Sequence, residues 1–178
     1  MVFKVALVGH SQIPNTITPL RNTEVRVFKR PGGSVFQFEE PPFSEVFDYR
    51  PDLVILFLGG NDVALYGDEH QRIVSKLKQI LARLKELSNN VIFVTLERRN
   101  YPLNNRFGVV NEVYNRNRKK VNDKLRAFLR RKSIRQINVT APWFSENLRS
   151  DGVHFNSSAA IEFRRKIILA IQSYNTAS

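Results

Sequence analysis

The chain of 178 residues contains no cysteine, which excludes disulfide bonds and metal sites built on thiolates. It also lacks any apolar run approaching the roughly 20 residues that a membrane-spanning helix requires. The amino-terminal stretch MVFKVALVGH is too short, and too soon followed by polar residues, to be a secretory signal peptide. These absences predict an intracellular, cytoplasmic protein. The length and the hydrophobic content of 42% are typical of one globular domain, which we expect to span residues 1–178.

Acidic residues are scarce: the chain has 16 of them against 28 lysines and arginines, which gives a net charge of +12. The segment 116–135 alone contains ten basic residues and one acid, Asp123, and so carries +9 of that charge. A cluster this dense attracts polyanions through a long-range field that salt screens. The alternative is a solvated helix face that only keeps the protein soluble. The basic residues that we single out for binding nucleic acid are Arg116, Arg118, Lys119, Lys120, Arg130, Arg131 and Lys132.

Short apolar runs alternate along the chain with longer amphipathic segments. The apolar runs predict strands over 3–8, 24–28, 53–58, 90–96 and 134–139. Apolar residues at three- and four-residue spacing predict helices over 68–87, 110–131 and 157–174, the last one capped by Asn156 or Ser157. In the second helix we expect the basic residues to face outward and four residues to face inward, namely Val113, Val121, Leu125 and Phe128. In the last helix we expect Ile161, Ile168 and Ile171 to be buried. Alternating strands and helices predict a doubly wound parallel sheet with helices on both faces.

Polar residues follow four of the predicted strands, at the end of the sheet where such folds bind their ligands. His10 and Ser11 follow the first strand, residues 32–34 the second and residues 59–62 the third. The loop after the fifth strand carries Asp151 and His154. Since the carboxyl ends of parallel strands meet at one edge, we expect these loops to converge there.

The residue types in these loops are those that acyl transfer requires. Ser11 supplies a hydroxyl, His154 a base that titrates near neutral pH, and Asp151 a carboxylate to orient the imidazole. The alternative is structural: Asp151 helps to cap the last helix, and His154 is an ordinary polar loop residue.

Donors for a developing oxyanion are also present after the strands. The backbone N–H of Ser11, the backbone N–H of Gly33 and the side-chain amide of Asn61 could together form the oxyanion hole. Gly32 is a rival to Gly33 for the second of these donors.

Four short blocks of the sequence resemble those of the SGNH hydrolases, also called GDSL esterases. The blocks are VGHS at 8–11, PGGS at 31–34, LGGND at 58–62 and DGVH at 151–154. Their order, spacing and placement at strand ends all match, and the resemblance covers nearly the whole chain. An ordinary α/β-hydrolase is disfavoured, because it needs a G-x-S-x-G motif in mid-chain and Ser11 follows the first strand.

The resemblance implies a three-layer, flavodoxin-like α/β fold with five parallel strands in the order 2-1-3-4-5. It implies that Ser11 is the nucleophile and that Asp151 and His154 complete the catalytic triad. It also implies that Gly33 and Asn61 complete the oxyanion hole, and that the reaction uses no metal ion and no organic cofactor.

The chain departs from the family pattern before the serine, where the family usually has aspartate and this chain has His10. His10 is either a structural loop residue or a second imidazole near the nucleophile. Asp62 follows Asn61 as in the family, and we expect it to hold its loop by hydrogen bonds. The segment 11–24 is too short for a long helix, which predicts an open site suited to small acyl groups, such as acetyl, on a bulky carrier.

Two functions of different classes therefore remain. The first is a serine esterase that removes acetyl-type groups from a small ester substrate; the compact length and basic helix also resemble the esterase domain in the first open reading frame of LINE retrotransposons. The second is an RNA-binding module on an SGNH scaffold, which would use the basic segment 116–135. The same helix could instead attach the enzyme to an anionic membrane surface.

Overall fold

The apolar runs of the sequence form one parallel sheet in the computed structural model, which describes residues 2–18 and 20–175. Its strands are β1 (Phe3–Gly9), β2 (Thr23–Lys29), β3 (Leu53–Phe57), β4 (Asn90–Val94) and β5 (Arg135–Ile137). All neighbours pair in parallel, in the order β2-β1-β3-β4-β5. The predicted strand order and fold class are confirmed. The predicted strand ends differ from the observed ones by no more than two residues, as expected where end residues fray.

Helices connect the strands from β2 onwards and cover both faces of the sheet. They are α1 (Val46–Tyr49), α2 (Gly60–Tyr66), α3 (His70–Leu87), α4 (Asn111–Arg131), α5 (Pro142–Glu146) and α6 (Ser157–Asn175). Helix α6 is capped by Asn156, whose Oδ1 accepts a hydrogen bond from the N–H of Ala159 at 3.0 Å. In the described part of the chain, no helix combines the length and the apolar content that crossing a lipid bilayer demands.

The core consists of two apolar layers on opposite faces of the sheet, because alternate residues of a strand point to opposite faces. Ala6 and Val8 of β1 face the layer that α3 and α4 cover, whereas Val5 and Leu7 face the layer that α6 covers. Every residue of β3 is buried. This two-sided burial explains why the central strand is a continuous apolar run.

Two helix faces differ from the sequence prediction. In α6, Ile161 is 66% exposed and Ile168 is only half-buried; the prediction holds for Ile171. Val113 of α4 is 37% exposed, and the neighbouring Tyr114 is buried in its place. The other residues predicted to face inward in α4 are buried, namely Val121, Leu125 and Phe128.

The connection from β1 to β2 contains no helix in the part that the structure describes, residues 10–18 and 20–22. Instead, the buried Ile13, with Ile17 and Leu20 packed beside it, covers the end of the sheet. The described part of this segment thus carries no long helix after Ser11, as its length predicted.

Candidate active site

The sheet brings the four polar loops to its carboxyl edge. Ser11 lies two residues beyond the end of β1, and Asn61 lies in the first turn of α2, which follows β3. Asp151 and His154 lie in the loop between α5 and α6. Residues that are far apart in sequence therefore line one cavity.

Ser11, His154 and Asp151 form a continuous hydrogen-bonded chain. The Ser11 Oγ lies 2.8 Å from Nε2 of His154, and Nδ1 of His154 lies 2.6 Å from Oδ2 of Asp151. The other carboxylate oxygen of Asp151 accepts the backbone N–H groups of Val153 at 2.9 Å and His154 at 3.0 Å. Asp151 is thus occupied within its own loop and with the imidazole, and it does not cap α6.

The environment of Asp151 keeps this residue ionised. Partial burial tends to raise the pKa of its carboxyl group, but the hydrogen bonds from the His154 ring and from two backbone N–H groups outweigh it. The net result is a pKa below the ordinary value. An ionised Asp151 accepts the Nδ1 proton of His154, and Nε2 is then left as the acceptor that faces Ser11.

Gln12 holds the loop that carries His154 close to Ser11. Its Nε2 donates to the carbonyl of Val153 at 2.7 Å, and its Oε1 accepts the N–H of Phe155 at 3.1 Å. The side chain next to Ser11 therefore brackets His154 from both sides. Sequence analysis missed this role, although the position of Gln12 directly after the serine was a signal for it.

Gly152 allows this loop to pack closely against the segment after β4. Its φ of +66° lies in the left-handed region, and its carbonyl accepts the N–H of Asn100 at 2.8 Å. A Cβ at this position would lie 1.8 Å from the Asn100 carbonyl oxygen. Only glycine fits without moving the loop that carries Asp151 and His154.

The backbone N–H of Gly33, which was expected in the oxyanion hole, is used within its own turn. It donates to the carbonyl of Arg30 at 2.9 Å, which favours the rival Gly32 as the candidate donor. Gly32, with a φ of +71°, lines the cavity beside Ser11. No backbone hydrogen bond of its N–H is found within residues 2–18 and 20–175.

The amide of Asn61 is held by one hydrogen-bond acceptor and one hydrogen-bond donor. Its Nδ2 donates to the carbonyl of Gly33 at 3.1 Å, and its Oδ1 accepts from Nη2 of Arg99 at 3.1 Å. An amide nitrogen has two protons. One is used by Gly33, and the second remains for a ligand in the cavity, which Asn61 lines.

Asp62 holds the Gly-rich turn in place, as the sequence predicted. The carboxylate is buried and accepts from the Ser34 hydroxyl and, at 3.0 Å, from the N–H of Val35. Burial raises the pKa of Asp62 above its ordinary value, although these hydrogen bonds oppose the shift. Its role is to fix the loop that presents Gly32.

His10 is a structural residue of the loop that follows β1. Its ring is 1% exposed, packs on Phe57 with ring centroids 4.6 Å apart, and accepts the N–H of Gln12 at 3.3 Å. Burial lowers the pKa of His10 from 6.5 to about 4, so the ring is neutral at pH 7. Of the two alternatives for His10, the structure therefore favours the loop residue.

A buried ion pair lies beneath Asn61. Nε of Arg99 donates to Oε1 of Glu97 at 2.7 Å, and the two side chains are 2% and 0% exposed. Burial alone would lower the pKa of Arg99, but the Glu97 charge outweighs it and holds the pKa above the ordinary value. Sequence analysis missed both residues.

The cavity in front of Ser11 has a volume of about 470 Å³. Its walls include Pro31, Tyr101, Pro102, Phe107 and Val153, in addition to the polar residues described above. Trp143 and Phe144 are not among the residues that line it. Phe144 is buried against Phe155 with ring centroids 5.3 Å apart, so these two aromatics serve loop packing.

The basic segment lies mainly on α4, and one of its residues is wrongly predicted. Arg118 is only 8% exposed, and its Nη1 donates to the carbonyl of Leu96 at 3.3 Å, so it cannot contact a nucleic acid. Asp123 pairs with Lys119 at 2.6 Å and with Arg126 at 2.8 Å. The other residues singled out for binding are exposed, namely Arg116, Lys119, Lys120, Arg130, Arg131 and Lys132.

The fold and the cavity define a three-layer α/β protein with a serine, a histidine and an aspartate at the carboxyl edge of its sheet. The sequence profile of the GDSL-like Lipase/Acylhydrolase family matches residues 21–160. The chain belongs to this family. No curated protein is found to be similar to it in sequence.

Solved structures of low sequence identity share the fold. A lipase/acylhydrolase from Enterococcus faecalis has a TM-score of 0.72 and 17% identity, over 97% of each chain. A GDSL-like lipase from Bacteroides thetaiotaomicron has a TM-score of 0.73 and 18% identity, over 96% of this chain and 88% of that one. An acetylxylan esterase from Geobacillus stearothermophilus has a TM-score of 0.66 and 14% identity, over 95% of this chain and 94% of that one.

Proposed function

We propose that this protein is a serine esterase that hydrolyses short-chain, acetyl-type carboxylic esters. The observation that carries the proposal is the unbroken chain of contacts from the Ser11 hydroxyl through His154 to Asp151, with distances of 2.8 Å and 2.6 Å. Family membership supports ester hydrolysis as the reaction class. The assignment of the three residues rests on their geometry.

In the first half of the reaction, the Ser11 oxygen attacks the acyl carbon while its proton passes to Nε2 of His154. Asp151 keeps the other side of the imidazole oriented and stabilises the imidazolium. The tetrahedral oxyanion accepts hydrogen bonds from the N–H groups of Ser11 and Gly32 and from the amide of Asn61. Collapse breaks the bond to the leaving oxygen, which takes the proton from His154, and the acyl group stays on Ser11.

In the second half of the reaction, water acts as the nucleophile and Ser11 becomes the leaving group. It loses a proton to His154 as its oxygen bonds to the acyl carbon, and collapse then breaks the bond to Ser11. The serine oxygen recovers the proton from His154, and the carboxylic acid leaves. All proton transfers use groups of the chain and the water itself.

An acetyl group on a bulky carrier fits the shape of the site. The cavity volume of about 470 Å³ greatly exceeds the space that an acetyl group fills, and the side next to Ser11 carries no helix. The remaining space can hold part of the carrier. A fold shared with an acetylxylan esterase supports testing acetylated carbohydrates first.

The test is hydrolysis of p-nitrophenyl acetate by purified protein, followed by the release of p-nitrophenol. Ser11→Ala should abolish turnover because no other hydroxyl contacts His154 in the described residues. Ser150→Ala is the matched control, since this exposed serine lies beside Asp151 and has no role in the mechanism. Equal turnover by wild type and Ser11→Ala would refute the assignment.

A second candidate function is binding of an RNA through the exposed basic face of α4. Within the described part of the chain, Arg116, Lys120, Arg130, Arg131 and Lys132 form no ion pair. Their charge is thus available for phosphate groups. The two functions are compatible, as in a LINE-type esterase domain within a ribonucleoprotein, and an anionic membrane is the competing polyanion. The LINE relationship stays a prediction.

A further inference from the structure

The orientation of the Asn61 amide matters for the proposed esterase and is set by two neighbours. A side-chain amide is nearly symmetric in shape, but one end donates hydrogen bonds and the other only accepts them. If the amide turned over, its carbonyl oxygen would face the oxyanion and repel it. The site therefore needs a device that holds the nitrogen end in place.

Arg99 and Gly33 select the same orientation of this amide. A guanidinium can only donate, so Nη2 of Arg99 is satisfied by Oδ1 of Asn61 and by no other atom of the amide. A backbone carbonyl can only accept, so that of Gly33 is satisfied by Nδ2 alone. Turning the amide over would break both hydrogen bonds at once. It would place the NH₂ group against the donor of Arg99 and the amide oxygen against the carbonyl oxygen of Gly33.

The guanidinium of Arg99 is itself fixed from several sides. Its Nε donates to Glu97 at 2.7 Å and its Nη1 donates to the Tyr101 hydroxyl at 2.8 Å. The ion pair is pressed against the first turn of α2, because a Cβ on Gly60 would lie 2.6 Å from Nη2 of Arg99 and 3.0 Å from Oε1 of Glu97. The arginine therefore has little room to move away from Asn61.

Helix α4 holds the backbone of the segment that carries this ion pair. Three asparagines each bind both the N–H and the carbonyl of one residue, as a neighbouring strand would. Asn122 binds Leu96, Asn115 binds Arg99 and Asn111 binds Tyr101. The Tyr114 hydroxyl also donates to the carbonyl of Glu97 at 3.2 Å. The backbone of the segment 96–101 is thus hydrogen-bonded to α4 at Leu96, Glu97, Arg99 and Tyr101.

We propose that Arg99, anchored by Glu97, is a positioning residue that fixes the amide of Asn61 with its second N–H available to the oxyanion. This inference deepens the proposed function and rests on it for its catalytic consequence. Arg99 acts through Asn61 and takes no proton.

The test compares variants that keep the fold but loosen this contact. Arg99→Lys keeps a positive charge next to Glu97 and loses the planar fork of donors. Glu97→Leu combined with Arg99→Met removes both buried charges together, so that neither is left unpaired. Arg98→Gln is the matched control, because the adjacent Arg98 is exposed. Thermal unfolding of each variant checks that it folds.

We expect both Arg99 variants to lower kcat by about 10- to 100-fold with KM changed by less than about 2-fold, since the interaction serves the transition state. In an Asn61→Ala background the same changes should cost little more, because Arg99 then has no amide to orient. Full kcat in a folded Arg99 variant would overturn the proposal. So would an equal loss with and without Asn61.

A second readout does not depend on activity. In protein with ¹⁵N-labelled asparagine, the side-chain NH₂ signals of Asn61 are assigned by their loss in Asn61→Ala. Wild type and Arg98→Gln should show slow exchange of the one Asn61 proton that is bonded to the Gly33 carbonyl, since hydrogen-bonded groups are protected. The Arg99 variants should exchange this proton at least about 10-fold faster, because an amide released from Arg99 can turn over. Unchanged exchange overturns the inference. Absence of Ser11-dependent turnover overturns only the proposed esterase, because the NH₂ exchange still tests whether Arg99 fixes the orientation of the Asn61 amide.

Discussion

The Ser11 hydroxyl and Nε2 of His154 lie 2.8 Å apart although 143 residues separate them in the chain. The parallel sheet makes this contact possible, because it brings the end of β1 to the edge where the loop before α6 returns. Gln12 then bridges the same two loops through the backbone on both sides of His154. The following predictions depend on this edge of the sheet.

Asp151→Asn should lower kcat by about 10²- to 10⁴-fold while the protein stays folded. The asparagine carbonyl can still accept the N–H groups of Val153 and His154, but its NH₂ group then faces Nδ1 of His154. The imidazole must accept there and carry its proton on Nε2, where it cannot take one from Ser11. Steady-state kinetics measure the loss, and Asp123→Asn on α4 is the control. Activity within about 2-fold of wild type would contradict the assigned role of Asp151.

Gly32→Ala and Gly33→Ala should fail in different ways. At Gly32, alanine is strained by about 1 kcal/mol at positive φ but meets no atom within 4 Å, so the protein folds and kcat falls as the turn shifts. At Gly33, a Cβ would lie 2.7 Å from the Phe43 ring, which should cost about 1–3 kcal/mol of stability by overpacking. Kinetics and urea unfolding of both variants test this.

The opposite pattern would restore Gly33 as the oxyanion donor. It would consist of a stable Gly33→Ala variant with a large loss of kcat, together with a Gly32→Ala variant of unchanged kcat.

The buried His10 should make the folded protein sensitive to acid. Its pKa falls from 6.5 to about 4 on folding, so between these values the unfolded chain binds a proton that the folded chain does not. His10 therefore costs nothing above pH 6.5, and stability is lost as pH falls from there towards 4. The loss at pH 4 is about 3 kcal/mol from this group.

Urea unfolding as a function of pH checks the effect of His10. We expect His10→Asn to lose less free energy of unfolding than wild type between pH 7 and pH 4, because both proteins share all other titrating groups. Parallel curves for the two proteins would show that His10 does not titrate in this way.

The basic face of α4 should bind single-stranded RNA with strong salt dependence. Reversing Lys119, Lys120, Arg130 and Arg131 to glutamate should remove binding. The slope of log K against log salt should fall in magnitude by about 1.4 when only Arg130 and Arg131 are reversed, since each phosphate contact on a single strand contributes about 0.7. Fluorescence anisotropy at several salt concentrations measures the slope.

The control for this experiment is reversal of Arg164 and Arg165 on α6, which lies on the opposite face of the sheet. This reversal changes the net charge by the same amount as reversal of Arg130 and Arg131. If RNA were attracted only by the net charge of the protein, its affinity would fall equally in these two variants. Equal losses of RNA affinity in the α4 and α6 variants, or an RNA affinity that does not change with salt, would argue against specific binding by the basic face of α4. Binding to phosphatidylserine vesicles but not to RNA would identify a membrane as the partner.

Most of the fold could be predicted because its signals are local. The buried run before Gly59 marks β3, and the three- and four-residue spacing marks α3. The short helices α1, α2 and α5 were not predicted, since one or two turns give too few residues to show a period. The order of the strands came from the family resemblance rather than from the residues themselves.

The differences between the predicted and observed burial of residues in α4 have a simple physical cause. Tyr114, Arg118, Val121 and Leu125 recur at helical spacing and are all buried, but an apolar pattern counts neither an arginine nor a tyrosine that donates to a backbone carbonyl. Arg118 fits the core because Leu96 accepts its Nη1 proton. A helical wheel that also counted polar residues with long side chains would have predicted the buried face of α4.

The candidate catalytic residues could be proposed from sequence, whereas the residues that hold them in place could not. Gly32 and Gly33 are equivalent in any pattern, and only the turn that uses the Gly33 N–H distinguishes them. Arg99 reaches Asn61 across 38 positions of the chain. Such contacts depend on the packing of α2 and α4 against the sheet edge, which no local pattern encodes.

Covalent labelling with a fluorophosphonate probe tests most directly the claim that the Ser11 hydroxyl is activated by His154 and Asp151. Peptide mass spectrometry should find one phosphonylated residue, Ser11. Labelling should be slowed at least about 100-fold in Asp151→Asn, because activation needs the correct tautomer. Labelling at another serine, or no labelling of the folded wild-type protein, would contradict the account.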